Sequence, residues 1–545
     1  YDLYQCDWSS DVCSSDLFIL VERNVLLKSQ KTVFHPVCLS LEDLLGKNYL
    51  EAVCQARSYL TGKEVTEFQS LIEKKQEFFP DSFQQRLLSL LSCIGQTVCS
   101  PLSSTPQGAS STQFRDHTNT SLAPLSGMGY FRLCEDGRLF LISKSEHYHV
   151  SLGHSFPGYQ LVEQARRLGI PNATHNNTRG HITRILEEEL VRAAAGIPSG
   201  DFHSLQAVLS STHPTVLNRV LNLETGSVAA EAAIKLVLSR FYITQDGDPA
   251  PPYQGRIPVL VVMGDDDGGP KANYHGTTII AQLMRGMWPD LMQGMEKQNL
   301  FLVRSVRPND RNELEAIFSQ YDQGKYKIAG LFHELVMMNY GARRLQDEFV
   351  HRMYALCEQH DVLSVVDEIQ TCIWSPELFL FREYRIQPSA VVIGKGFPGG
   401  EYAASRILFS SAIDRLPQFG ALVTNGQEEL ASLAYLITMR WVENNADVIR
   451  TVGEYFEERL REISTKFPHL IHDIHGKRHM AGIYFHDLDI GKKFVKRMQE
   501  FGLDISVQSY KLGCPPVALT KLPLIAGYEA VDVFLDRVDC ALGKM

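Results

Sequence analysis

Residues 362–400 decide the fold. They open Val362-Leu363-Ser364-Val365-Val366-Asp367-Glu368-Ile369-Gln370-Thr371 and close Ala390-Val391-Val392-Ile393-Gly394-Lys395-Gly396-Phe397-Pro398-Gly399-Gly400. Two short β-branched runs each end on an ionisable residue, Asp367 in the first and Lys395 in the second. Runs of this kind suit strands buried on both faces of a parallel sheet. Ligands of such sheets gather beyond the carboxyl ends of the strands. An acid and an amine set there point to chemistry rather than to packing.

The same pattern recurs outward from this stretch. Residues 258–263 and 328–333 are further apolar runs, the second followed by Glu334. Residues 219–223 read as a strand, followed by Glu224-Thr225-Gly226-Ser227 and a strong helix former over 228–238. Strand, small polar turn and helix together present free backbone N–H groups and a positive dipole end to an anion. Thr225 and Ser227 add hydroxyl donors there. Tyr274-His275-Gly276 sets an aromatic ring beside flexible backbone, and residues 264–269 read as a plain turn without the spaced ligands of a calcium loop. Strands separated by helical segments argue a doubly wound, mainly parallel sheet of the α/β class. Glu334, Asp367 and Lys395 then project into one crevice.

Before this region, residues 41–93 carry helical apolar stripes, residues 96–124 are rich in Ser, Thr, Pro and Gly, and residues 129–142 alternate as a hairpin turned at Glu135-Asp136-Gly137. His147, His149 and His154 follow closely, but no Cys or carboxylate pattern completes a ligand set, and no metal is expected. After it, residues 430–439 and 448–463 read as amphipathic helices. Residues 479–486 and 503–507 read as strands of a smaller α+β terminal domain, closed by a helix over 530–542.

Bulk properties narrow the class. The 545 residues are 44% hydrophobic and 21% charged with a formal net charge of -10, which argues against a nucleic-acid or anionic-membrane binder. No apolar run reaches the length of a membrane span. The eleven cysteines lack CxxC pairs and zinc-like spacing, so they read as reduced thiols of a cytoplasmic protein. Residues 6–17 (CDWSSDVCSSDL) look like the translation of a sequencing-library adapter, so residues 1–17 are read as an artefact and set aside.

A lysine flanked by glycines at a strand end can reach a carbonyl ligand and form a Schiff base, because burial favours its neutral, nucleophilic form. A carboxylate on the adjacent strand suits a protonated pyridine nitrogen, and a helix N-terminus suits a phosphate. A ring such as Tyr274 can stack on a flat heteroaromatic face. Together these needs describe pyridoxal 5′-phosphate.

From about residue 129 to the C-terminus the chain resembles class III aminotransferases, pyridoxal-phosphate enzymes of fold type I. The family's Asp-Glu-Val-Gln-Thr stands here as Asp367-Glu368-Ile369-Gln370-Thr371, and its lysine as Lys395-Gly396 with Gly399-Gly400. The family's Ser-Gly-(Ser/Ala)-Glu-Ala-Asn-Glu-Ala-Ala helix matches residues 225–233, and Tyr-His-Gly is intact at Tyr274-His275-Gly276. The resemblance implies that Lys395 carries the cofactor and shuttles the proton, that Asp367 pairs with the ring nitrogen and that Gln370 bonds the ring hydroxyl. It also implies a cofactor site completed by Thr225, Gly226, Ser227, Tyr274, His275 and Glu334. Thr424, in Thr424-Asn425-Gly426, matches a threonine that reaches phosphate across a subunit interface, which implies a homodimer with shared active sites.

The implied reaction moves an amino group between an amine or amino acid and a 2-oxo acid, with no nucleic-acid or membrane partner. Racemisation, amino-group migration or decarboxylation on the same cofactor are the competing enzymatic readings, and a non-catalytic scaffold is the third. The expected organisation is a helical extension over 18–95, a linker over 96–128, and an N-terminal segment of the fold over 129–200. A large cofactor-binding domain over 201–430 and a small domain over 431–545 follow.

The chain also departs from the family. Val228 and Ala230 replace a Glu and an Asn, Leu335 replaces a proline, and Cys372-Ile373-Trp374-Ser375-Pro376 stands where Gly-Phe-Gly-Arg-Thr-Gly is usual. The arginine before the C-terminal Pro-Pro is missing, with Lys511 and Leu512 nearby instead. A carboxylate prefers a bidentate guanidinium, so acceptor binding is expected to differ from the usual.

Overall fold

The computed structural model describes residues 31–116, 118–265, 276–508 and 516–545. Its centre is a seven-stranded sheet of β1 (Arg219–Leu223), β2 (Ile257–Met263), β3 (Leu302–Val306), β4 (Tyr326–His333), β5 (Leu363–Asp367), β6 (Ala390–Ile393) and β7 (Ser405–Phe409). The spatial order is β1-β7-β6-β5-β4-β2-β3. Pairs β6–β5, β5–β4, β4–β2 and β2–β3 are parallel, while β7 runs antiparallel to both of its neighbours. The carboxyl ends of β1, β4, β5 and β6 therefore open on one edge.

Near-continuous apolar strands are what a sheet covered on both faces requires. In β2, Val259, Val261 and Met263 join the core on one face, and Leu260 and Val262 join that on the other. Helix α1 (Gly226–Leu238) covers the second face with Ala229, Ala230, Ala232 and Ala233, whose small side chains let it lie close to the strands. The sequence-based expectation of a mainly parallel, doubly wound α/β sheet holds.

The smaller domain holds a four-stranded antiparallel sheet of β8 (Ile471–Lys477), β9 (Met480–Phe485), β10 (Ser506–Gln508) and β11 (Val517–Lys521) in the order β8-β9-β11-β10. The expected hairpin is present as Phe131–Cys134 paired with Leu139–Leu141, and Pro124–Met128 adds a third strand from within the stretch read as a linker. The helical extension packs into the main core through Val37, Leu41, Phe78 and Leu87. It is tied down at two distant points. Thr32 Oγ1 donates to Glu529 Oε2 (2.9 Å), and His35 N donates to Asn445 Oδ1 (2.7 Å). No helix among the described residues is long and apolar enough to cross a membrane.

Candidate active site

The strand ends set the floor of the site. Asp367 is the last residue of β5 and lies opposite Val392 of β6, and its Oδ1 accepts from Ile369 N at 2.9 Å. Glu368 turns away from the crevice, accepting from Leu380 N (2.7 Å) and Phe381 N (2.6 Å). It thereby fastens the motif to the short helix α2 (Leu380–Glu383). Burial pushes the Glu368 carboxyl up to about 8. Gln370 is buried, and its Oε1 accepts no hydrogen bond among the described residues. A buried carbonyl oxygen without a donor is costly unless a ligand supplies one.

Lys395 stands two residues beyond β6 with φ +35°, a left-handed conformation uncommon for non-glycine residues. Its Nζ forms no hydrogen bond among the described residues and lies 5.4 Å from the centroid of the Tyr148 ring. Burial lowers its affinity for a proton to about 8, against the opposing pull of the Glu334 and Asp367 carboxylates. An amine so placed is neutral in a useful fraction of molecules near neutral pH. Glu334 follows β4 directly and is buried.

The helix N-terminus closes the opposite side. The Thr225 side chain accepts from Val228 N (3.4 Å) and so starts α1 at Gly226. A Cβ at Gly226 would lie 2.6 Å from Ile369 Cδ1, so only glycine lets this helix end rest on the Asp367–Gln370 turn without displacing Ile369. Ser227 Oγ accepts from Thr277 N (3.2 Å) and Thr277 Oγ1 (3.1 Å), which holds the chain after Gly276 against the same helix end. Tyr274 and His275 lie outside the described residues, as do Lys511 and Leu512. Thr424 is exposed, and its neighbour Asn425 donates from its backbone N to Glu224 Oε1 at 3.1 Å, so this turn sits by the loop after β1.

The remaining wall is built from Trp374, in the departing segment 372–376, and from Lys521 and Tyr148, which the sequence reading did not single out. Trp374 is buried with Nε1 donating to Leu522 O at 3.0 Å, and it packs on Gly396, beside the lysine. Lys521, the last residue of β11, is fully buried. Its Nζ lies 3.5 Å from the centroid of the Trp374 ring and 5.2 Å from that of Tyr148, and it donates to Gln370 O. Tyr148 comes from a strained turn in which Ser145, Glu146 and Tyr148 have φ of +47°, +58° and +65°. One of the three histidines there, His154, pairs with Glu146 Oε1 (2.7 Å). Another, His147, stacks on Tyr148 (5.0 Å), and burial drives its proton affinity down to about 3. The sequence did contain a signal for Lys521. Val517-Ala518-Leu519-Thr520-Lys521 is an apolar run ending on an amine, as is the run before Lys395.

The family model for Aminotransferase class-III matches residues 192–541. The chain belongs to the class III aminotransferase family. It is 23% identical over 340 residues to the acetylornithine aminotransferase of Aquifex aeolicus, covering 62% of this chain and 78% of that protein. It is 25% identical over 332 residues to the ornithine aminotransferase of Halalkalibacterium halodurans, covering 59% and 74%. A transaminase from the marine bacterium Virgibacillus shares the fold with a TM-score of 0.62 at 15% identity, over 84% of this chain and 98% of that one. This class III aminotransferase is therefore a pyridoxal-phosphate-dependent transaminase of fold type I. Its own residues fit that cofactor: among the described residues, a half-buried amine without a hydrogen bond and a Gln370 oxygen without a donor, with a glycine cradle at a helix N-terminus.

Proposed function

We propose that amino-group transfer between an amine or amino acid and a 2-oxo acid takes place on the floor formed by Asp367, Gln370 and Lys395. The observation that carries this reading is the half-buried Lys395 amine, without a hydrogen bond among the described residues, at the end of the strand next to Asp367 and near Glu334. Pyridoxal phosphate supplies a reactive aldehyde and a ring that accepts electrons.

The protein's residues divide the remaining work. Lys395 would hold the cofactor through its neutral Nζ and, when that amine is free, would serve as the base that carries a proton within the site. Asp367, whose Oδ1 accepts from the Ile369 N–H, would face the ring nitrogen. Gln370 would meet the ring hydroxyl with its Oε1, which has no donor among the described residues. Thr225, Gly226 and Ser227 face the phosphate at the start of α1, where aligned N–H groups favour an anion. Tyr274 and His275, which lie outside the described residues, would serve the ring as the family resemblance implies, and Glu334 would keep the lysine side of the pocket acidic. Thr424, exposed in a single chain, fits a role at the phosphate of a second copy, which makes the working unit a homodimer with shared sites. The unpaired cysteine spacing supports a cytoplasmic setting.

The absorbance spectrum of the protein mixed with pyridoxal phosphate tests this. A yellow band that is absent in Lys395→Ala, and that amino donors alone convert to the pyridoxamine form, is the expected result. A colourless mixture would overturn the assignment. A stable yellow band with an epimerised donor would replace transfer by racemisation.

A further inference from the structure

Two lysines, not one, line this pocket, Lys521 fully buried and Lys395 half-buried. Lys395 and Lys521 approach the same Tyr148 ring, with their Nζ atoms 5.4 Å and 5.2 Å from its centroid. They come from different domains, Lys395 from the end of β6 and Lys521 from the end of β11. Their surroundings differ. Lys521 donates to the Gln370 carbonyl and sits on the face of Trp374 at 3.5 Å, both of which solvate an ammonium ion. Lys395 has the Tyr148 ring and no hydrogen-bond acceptor among the described residues.

We propose that Lys521 is a positioning residue whose fixed cation keeps Lys395 unprotonated and therefore reactive toward an aldehyde. This rests on Lys395 being the cofactor-bearing amine.

The physical argument is a competition for one proton. Two ammonium ions in one dry pocket repel strongly, so the site favours a single charge. Burial presses on both amines, and Lys395 presses further on Lys521. Desolvation alone would strip the more deeply buried Lys521 first. The indole face and the carbonyl acceptor reverse that order, because they stabilise the ammonium only at Lys521. A lysine beside a second cation is a known route to an activated amine.

The other groups facing the pair are Glu334 at the end of β4, Asp367 at the end of β5 and Cys372 after it. The strained turn contributes Tyr148, His147 and His149. Both carboxylates favour a proton on Lys395, and burial lowers the proton affinity of Lys395 and of both histidines. In the proposed arrangement Lys521 is the cation that opposes the carboxylates. Trp374 stands in the segment that departs from the family pattern, so the tryptophan and the lysine form one device.

The test is the pH dependence of Lys395 acetylation by acetic anhydride in the full chain stripped of cofactor, read by peptide mass. The rate of pyridoxal phosphate uptake is followed in parallel. Lys521→Met raises the midpoint for Lys395 by about 1–2 pH units and slows uptake at neutral pH. Lys521→Arg keeps the cation and restores the original midpoint, which a purely structural role would not predict. Trp374→Leu retains both amines, moves the midpoint in the same upward direction, and decides the matter if Lys521→Met does not fold. An unchanged or lower midpoint in Lys521→Met or Trp374→Leu overturns the proposal. A chain whose Lys395 never takes up pyridoxal phosphate would instead overturn the functional reading itself.

Discussion

The floor of the crevice and the wall beside it follow different rules. On the floor, Asp367, Gln370 and Lys395 keep the family pattern and stand at the ends of β5 and β6, where parallel strand geometry fixes their spacing. On the wall, residues 372–376 abandon a glycine-rich pattern for Cys372, Ile373 and Trp374, all buried, and Lys521 and Tyr148 fill the space opposite. The floor answers to a cofactor whose charges do not vary. On the reading proposed above, the wall answers to substrate and to the state of the lysine, and it can be rebuilt provided its bulky side chains pack.

Variants on each side separate the two. Lys395→Ala removes the floor's one nucleophile, and turnover with any donor falls by about 10²–10⁴-fold while the fold stays intact, as steady-state kinetics and circular dichroism check together. Asp367→Asn keeps the shape but loses the charge opposite the ring nitrogen. Turnover falls by up to about 100-fold, close to 3 kcal/mol of a charge-assisted bond, and cofactor affinity drops with it. If Asp367→Asn left both untouched, the floor would not be the cofactor-binding side.

The wall is anchored elsewhere, through Glu383. Ser375 Oγ donates to Glu383 Oε1 (2.6 Å), and Arg478 of the small domain holds the same carboxylate with two hydrogen bonds at 2.8 and 2.7 Å. Burial works against this charge, but Arg478, Lys477 and Ser375 outweigh it and hold the carboxyl down at about 2. A depressed carboxylate stabilises the fold above its ordinary range, and that contribution is lost as pH falls toward 2. Glu383→Gln therefore costs about 2 kcal/mol in urea unfolding at pH 7, and the difference from the wild type shrinks between pH 4.5 and pH 2. Equal losses at pH 7 and pH 3 would remove the ion pair from the account.

Gly396 is the point where floor and wall touch. A Cβ there would press on the Trp374 ring and lie 2.7 Å from Ile373 Cγ2. Gly396→Ala costs about 1–2 kcal/mol of stability by thermal melting, with Trp374 displaced, and Gly396→Ala in a Trp374→Leu background costs less.

Much of this was legible in the sequence, for a definite reason. Asp367, Glu334 and Lys395 each close or follow a short apolar run, and a buried strand must be apolar along its length, so a charge at its end stands out. Thr225-Gly226-Ser227 was legible because capping and helix propensity are local. Tyr148 and Thr277 were not, because each reaches the site through packing between segments far apart in the chain, and for Trp374 the departure from the family was legible but its contact with Lys521 was not. The strained backbone that aims Tyr148, with three left-handed residues in four, leaves no glycine signature to read. Lys521 lies between the two cases. Its run was visible, but only the meeting of β11 with the Asp367–Gln370 turn shows where its amine goes.

The central claim is that of two amines in one pocket, Lys395 is the one that bears the cofactor. Borohydride trapping of the pyridoxal-phosphate-loaded protein, followed by peptide mass mapping, tests it most directly. A pyridoxyl group found on Lys395, with Lys521 unmodified, is the predicted result. The label on Lys521, or on neither lysine, would contradict the account.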